Sequence, residues 1–367
     1  MSAPDIPKTM KAVQLVEFNK PYALDSVPVP SDLGPHDLLV KVAVASYCHT
    51  DSMITTGALP VPLPLVASHE GSGTVVAVGS AVENFKRGDR VMCGVPVGLC
   101  GECAECSGPE TYSHYCTNQR GIVGIHVDGC FAEYIHADAR TSVALPSAVS
   151  LISAAPLACA GRTAWRGVLQ AGLEPGKWLA VVGSGGGLGH LAVQMAKARG
   201  LKIIGIDARD EGLELTRRSG ADVVLDARKG VEDVAGEVRK ITGGPGADAT
   251  INLADAEGAA ALACAVTRMH GEMHQLAQPA EVKIPFLELM LRDIRVRGSL
   301  TCSRGETETM LEHIEEHGIK LENNIFYGLD KIHEAVELVR SGKISGKAVI
   351  IVDEQQVEQD ERLGTRY

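Results

Sequence analysis

The stretch that decides the fold is Lys177–Gly200, KWLAVVGSGGGLGHLAVQMAKARG. It opens on an apolar run that reads as a strand buried on both faces. A cluster of glycines follows, and then Leu188, Leu191, Ala192 and Met195 recur at helical spacing, with Gly200 as a stop. The next run, LKIIGID, is a second strand that ends on Asp207. Strand, glycine turn, helix and strand in this order form a cradle for a dinucleotide pyrophosphate at a helix N-terminus. The strict G-x-G-x-x-G spacing does not fit, because its third glycine position is Leu188. The turn instead runs Gly183, Ser184, Gly185, Gly186, Gly187, Leu188, Gly189, one residue longer. Asp207 stands 18 residues beyond Gly189, where a carboxylate takes the adenosine ribose hydroxyls and repels a 2'-phosphate. That favours NAD(H) over NADP(H), with Arg209, two residues on, acting in the opposite sense.

On the C-terminal side the alternation continues through the strand candidates ADVVLD, DATINLA, EMHQLA and IRVRGSL, with helical stretches between them. This pattern implies a parallel sheet with right-handed crossovers. Residues 10–150 read differently: MKAVQLV, DLLVKVAVAS, GSGTVVAVG, RVMCGV and FAEYIHAD are short strands separated by Gly, Pro and Asp turns. After residue 303 come two amphipathic helices, ETETMLEHIEEHG and KIHEAVELVRSG, and a closing strand KAVIIVD. The reading is therefore α/β, with a β-rich first domain over 1–158, a Rossmann domain over 159–302, and a further segment over 303–367.

Composition excludes several roles. A net charge of -11 and 4% aromatic residues disfavour a nucleic-acid surface. No apolar run approaches the roughly 20 residues that span a bilayer. The start, MSAPDIPKTMKAVQL, has neither an apolar leader core nor a transit-peptide pattern, which points to the cytosol. In a reducing compartment, clustered cysteines serve metal or catalysis rather than disulfides. Four of the ten cysteines, Cys100, Cys103, Cys106 and Cys116, fall within seventeen residues. A redox pair would need a strand-to-helix context that these Gly-, Pro- and Ser-rich flanks lack. Four thiolates close a tetrahedral zinc shell with no open position, the pattern of a structural site.

Together with YCHTD at 47–51, SHEGSGTVVAVG at 68–79, FKRGDRV at 85–91, DGCFAEY at 128–134 and PLACAGRTAW at 156–165, the four-cysteine lobe and the glycine turn carry a resemblance over nearly the whole chain. The chain resembles the zinc-dependent alcohol dehydrogenases of the medium-chain dehydrogenase/reductase superfamily, nearest the yeast alcohol dehydrogenase branch. The resemblance implies that 1–158 is a GroES-like catalytic domain with a zinc lobe over 93–120, that 303–367 returns to it, and that each chain holds two zinc ions, one structural and one catalytic. Nine residues precede Cys116 where the family has seven, a two-residue insertion in the lobe. The catalytic ligands would be Cys48, His69 and Cys159, with Glu70 approaching the metal during ligand exchange. Asp51 would hydrogen-bond His69. Thr50 matches the hydroxyl that bonds the zinc-bound alcohol, His49 contacts the pyrophosphate, and Lys347 stands where relatives contact the cofactor phosphates with Arg. The remaining Cys93, Cys130, Cys264 and Cys302 read as packing thiols, and His190 as a surface or packing histidine.

Three departures shape the expected specificity. Val95 replaces a pocket Trp of the yeast-type enzymes, the rim at Ala58 and Leu59 lacks another, and Gln278 stands where that branch has Met. A pocket lined by Leu59, Val95 and Gln278 would take alcohols bulkier than ethanol. Met53 replaces a histidine that ends the proton relay in many relatives. The expectation is an NAD-dependent alcohol dehydrogenase or carbonyl reductase acting as a homodimer or homotetramer, with neither nucleic acid nor membrane as partner. Two other readings remain: a superfamily reductase of enones or unusual carbonyls, and a non-catalytic zinc-stabilised binding protein.

Overall fold

The computed structural model describes residues 6–367; residues 1–5, where the segment read as leaderless begins, lie outside them. Two compact units result, one of residues 6–159, 302–318 and 323–367, the other of 160–301 and 319–322. The sequence reading placed 319–322 with the first unit and Cys159 and Cys302 with the second; this division differs on all three. No helix among the described residues is long and apolar enough to cross a membrane.

The first unit is built around the strand Asp37–Tyr47, DLLVKVAVASY, in which ten of eleven residues are buried. Val40, Val42 and Val44 are fully enclosed, each burial contributing roughly 1.5–3 kcal/mol against exposure. β-branched residues suit such a doubly covered strand. This strand pairs antiparallel with Glu70–Val78, Tyr134–Asp138 and Lys347–Ile351 in a seven-stranded sheet. Its register sets Ser46 opposite Glu70 and Tyr47 opposite Ala348. Cys48, His69 with Glu70, and Lys347 therefore emerge at one end of three neighbouring strands.

The second unit is a six-stranded parallel sheet in the order Val223–Asp226, Lys202–Asp207, Trp178–Val182, Ala247–Asn252, Thr267–Gln275, Arg295–Gly298. Strand order reverses between Trp178–Val182 and Ala247–Asn252, which opens a crevice at the carboxyl ends of those two strands.

Several elements went unread in the sequence, among them the helices His49–Thr56, Leu151–Pro156 and Arg162–Gln170. Ala23–Pro28 and Asn323–Tyr327 are mostly exposed or half-buried strands without clean alternation. The helix Glu354–Arg362, EQQVEQDER, is polar nearly all round; it is capped by Asp353 and buries only Val357 and Asp360.

Candidate active site

Cys48 follows the central strand and caps the helix His49–Thr56. Asp51, one turn into that helix, is fully buried. Its carboxylate accepts from the Cys48 N–H at 2.8 Å and the Ser68 N–H at 3.0 Å. The hydrogen bond expected from Asp51 to the His69 ring is absent: His69 Nδ1 has no hydrogen-bond partner. Asp51 instead fixes the main chain beside two ligand residues, one N–H donor on each of its oxygens. Ser68 itself holds a left-handed φ of 73°, anchored by its hydroxyl donating to Ser46 O at 2.9 Å. Local strain of this kind needs such over-determination and aims the following residue, His69. Cys159 lies in a π-helical turn, Leu157–Gly161, a form that concentrates at functional sites.

These elements bring ligand atoms of Cys48, His69, Glu70 and Cys159 within 4.8 Å of one another. Hydrogen bonding with Cys159 holds the Cys48 thiol well below its ordinary value, against burial and with help from the Lys347 and His69 charges. The Cys159 thiol is pushed up by the same bond and by burial. Burial opposes a charged His69, yet the Cys48 thiolate pushes it up to about 9. The cluster thus holds protons that a divalent cation would displace. Two thiols and one imidazole, whose Nδ1 is buried without a hydrogen-bond partner, fit zinc, with three protein ligands leaving one position open. Thr50, also buried, places Oγ1 3.8 Å from Cys48 Sγ.

Lys347, expected to approach the cofactor phosphates, pairs with Glu70. It is buried, and its Nζ lies 2.7 Å from Glu70 Oε2 and 3.0 Å from Oε1. The ammonium is committed to Glu70, beside the ligands. His49 begins the helix as an exposed residue.

In the lobe, Cys103 caps the short helix Ala104–Ser107, which carries Cys106, and a 3-10 helix, Glu110–Tyr115, leads into Cys116. Sulfur separations are 3.5 Å for Cys100–Cys116, 3.8 Å for Cys103–Cys116 and 3.9 Å for Cys100–Cys106. Zinc–sulfur bonds of about 2.3 Å in a tetrahedron give edges of about 3.8 Å, so the lobe has the dimensions of a closed zinc site.

In the second unit, Gly183 has φ 79°, and a Cβ on Gly189 would stand 2.1 Å from Gly183 O. Only glycine permits both the turn and the close approach. The Asp207 carboxylate accepts from Gly185 N at 2.9 Å, Ala208 N at 2.9 Å and Arg209 N at 3.0 Å. The Arg209 guanidinium reaches Gly185 O at 3.1 Å. His190 is buried, with Nδ1 3.0 Å from Gly186 O and Nε2 accepting from Glu322 N at 3.3 Å, so it packs the turn. Sequence reasoning passed over Asn252, whose amide donates to Gln275 Oε1 at 2.9 Å while Gln275 donates to Ala277 O at 2.8 Å. Its signal was a polar residue closing each apolar strand at the crevice. Of the pocket residues, Leu59 is half-buried and Val95 buried in the first unit, and Gln278 is exposed in the second.

Comparison with known proteins gives a consistent result. Residues 34–147 match the alcohol dehydrogenase GroES-like domain, and residues 187–316 match the zinc-binding dehydrogenase domain. An alcohol dehydrogenase of Geobacillus stearothermophilus is 35% identical over 94% of this chain and 100% of its own. A NAD-dependent alcohol dehydrogenase of Sulfurisphaera tokodaii is 33% identical over 93% of this chain and 100% of its own. The crystal structure of the alcohol dehydrogenase from Aeropyrum pernix superposes with a TM-score of 0.85 at 31% identity, covering 93% of this chain and 99% of that one.

Proposed function

Since the chain belongs to the zinc-dependent alcohol dehydrogenases of the medium-chain dehydrogenase/reductase superfamily, we propose that it interconverts alcohols and carbonyl compounds with NAD(H), Cys48, His69 and Cys159 holding the catalytic zinc. The observation that carries this reading is the convergence of those three ligands, with Glu70, within 4.8 Å. When bound there, zinc supplies Lewis acidity to the substrate oxygen. Thr50, beside Cys48, would accept a hydrogen bond from the substrate hydroxyl and pass its own proton on towards solvent, and bound NAD(H) would supply the hydride chemistry. Asp51 keeps Cys48 and Ser68 in register, and Lys347 balances the charge of Glu70.

Asp207, ending its strand beside Gly185, favours NAD(H) over NADP(H). Small side chains at the expected pocket positions, with Gln278 as a polar handle, favour substrates bulkier than ethanol. Association as a homo-oligomer is supported by the unpaired edge strand Arg295–Gly298 and by Phe286, Met290 and Leu291 nearby, each about 70% exposed. Ten free cysteines support a reducing, cytoplasmic setting. The test is NADH formation over a graded alcohol series before and after chelation. Metal-dependent turnover with kcat/KM rising above that for ethanol supports the reading. Metal-independent turnover refutes the site, and a maximum at ethanol refutes the size preference.

A further inference from the structure

Asp360, in the C-terminal helix Glu354–Arg362, is 3% exposed, unusual for a carboxylate on so polar a helix. Its Oδ2 accepts from the Leu151 N–H at 2.8 Å, and its Oδ1 lies 2.6 Å from Arg90 Nε. Arg90 in turn donates to Pro146 O at 3.2 Å and to Val149 O. Around the same turn, the Tyr367 main-chain oxygen accepts from Ser150 N, and Ala148 O accepts from Tyr367 N at 3.0 Å. Ser150 Oγ completes the set by accepting from Ser153 N at 3.1 Å. The opening N–H groups of the helix Leu151–Pro156 are thus satisfied partly by residues some two hundred positions away. Val357 packs into the same apolar cluster as Leu151 and Ala155. That helix runs without a break into the π-helical turn that carries Cys159.

We propose that the segment Asp353–Tyr367 is a brace for the catalytic metal site, with Asp360 a positioning residue that holds the Cys159 thiolate by fixing the start of its helix. Leu151 and Cys159 lie about two turns apart on one continuous helical path, with Pro156 and the π-turn between them, so a shift at Leu151 is carried along that path to Cys159. Metal–ligand bonds tolerate only about 0.2 Å of error. Residues that orient ligands without touching the metal typically change affinity by about 10–100-fold when lost. The proposal rests on the assignment of Cys48, His69 and Cys159 as zinc ligands.

The test is the rate of zinc release to a chromogenic chelator from the full chain, with Cys159→Ser and Cys103→Ser identifying the catalytic and lobe phases. Asp360→Ala, and the isosteric Asp360→Asn should the first variant fold poorly, are expected to release catalytic zinc about tenfold faster or more. The lobe phase should stay at the wild-type rate. Unchanged catalytic-zinc release in a folded variant overturns the brace, and so does equal acceleration of both phases, which would signal general loosening. Wild-type protein holding one zinc overturns the ligand assignment and the brace with it.

Discussion

Lys347 Nζ lies 2.7 Å from Glu70 Oε2, although 277 residues separate the two in sequence and both are buried. The pair forms because Glu70 and Lys347 begin the two strands that flank Asp37–Tyr47. Burial raises the Glu70 pKa, the Lys347 charge opposing it, and the nearby anionic groups raise that of Lys347 against burial. Lys347→Met would leave a buried carboxylate without its counter-ion and should cost about 3–5 kcal/mol. Lys347→Arg should recover most of this. Denaturant unfolding of the two variants checks it; equal stability of Lys347→Met and wild type would contradict the pairing.

Asp138 supplies the acid sensitivity of the lobe's neck. Burial would raise its pKa, but hydrogen bonds from Arg140 and Gly98 outweigh this and hold it below the ordinary carboxylate range. A depressed folded pKa stabilises above the unfolded value of about 3.9, and that contribution is lost as pH falls through the folded value. Asp138→Asn should lose about 1–3 kcal/mol at neutral pH and show a flatter acid limb in urea unfolding. An acid limb as steep as that of wild type would show that other carboxylates dominate.

Asp207 bonds the glycine turn as well as standing at the expected ribose position. Asp207→Ser should therefore weaken both cofactors while raising the NADP/NAD ratio of kcat/KM about tenfold, equivalent to roughly 1.4 kcal/mol. A wild-type preference for NADP would transfer the specificity to Arg209.

The glycine turn was legible because each glycine answers a local backbone demand, and the lobe because its ligands are close in sequence. Cys48, His69 and Cys159 could be paired only through a family resemblance; strand register, which no short motif encodes, brings the first two together. Asp51 was assigned to the wrong partner, since its preference for two N–H groups over an imidazole depends on three-dimensional aim. The pairing of Lys347 with Glu70 went unread for the same reason. The C-terminal helix escaped notice because its two buried residues, Val357 and Asp360, make no periodic apolar stripe.

Met53, half-buried one turn beyond Thr50, offers no titratable proton. Alcohol oxidation should be weak near neutral pH and rise with alkalinity. Met53→His should accelerate it at neutral pH by up to about 100-fold where proton transfer limits the rate. Pre-steady-state oxidation that is fast, independent of pH and indifferent to the substitution would show that Met53 interrupts nothing.

The most direct test of the two-zinc account is metal content measured beside turnover in wild type, Cys103→Ser and Cys159→Ser. Two zincs are predicted for wild type. Cys103→Ser should hold one zinc and melt lower, because a closed thiolate site contributes folding energy. Cys159→Ser should hold one zinc, keep its fold and lose turnover. Full turnover with two zincs in Cys159→Ser would contradict the account.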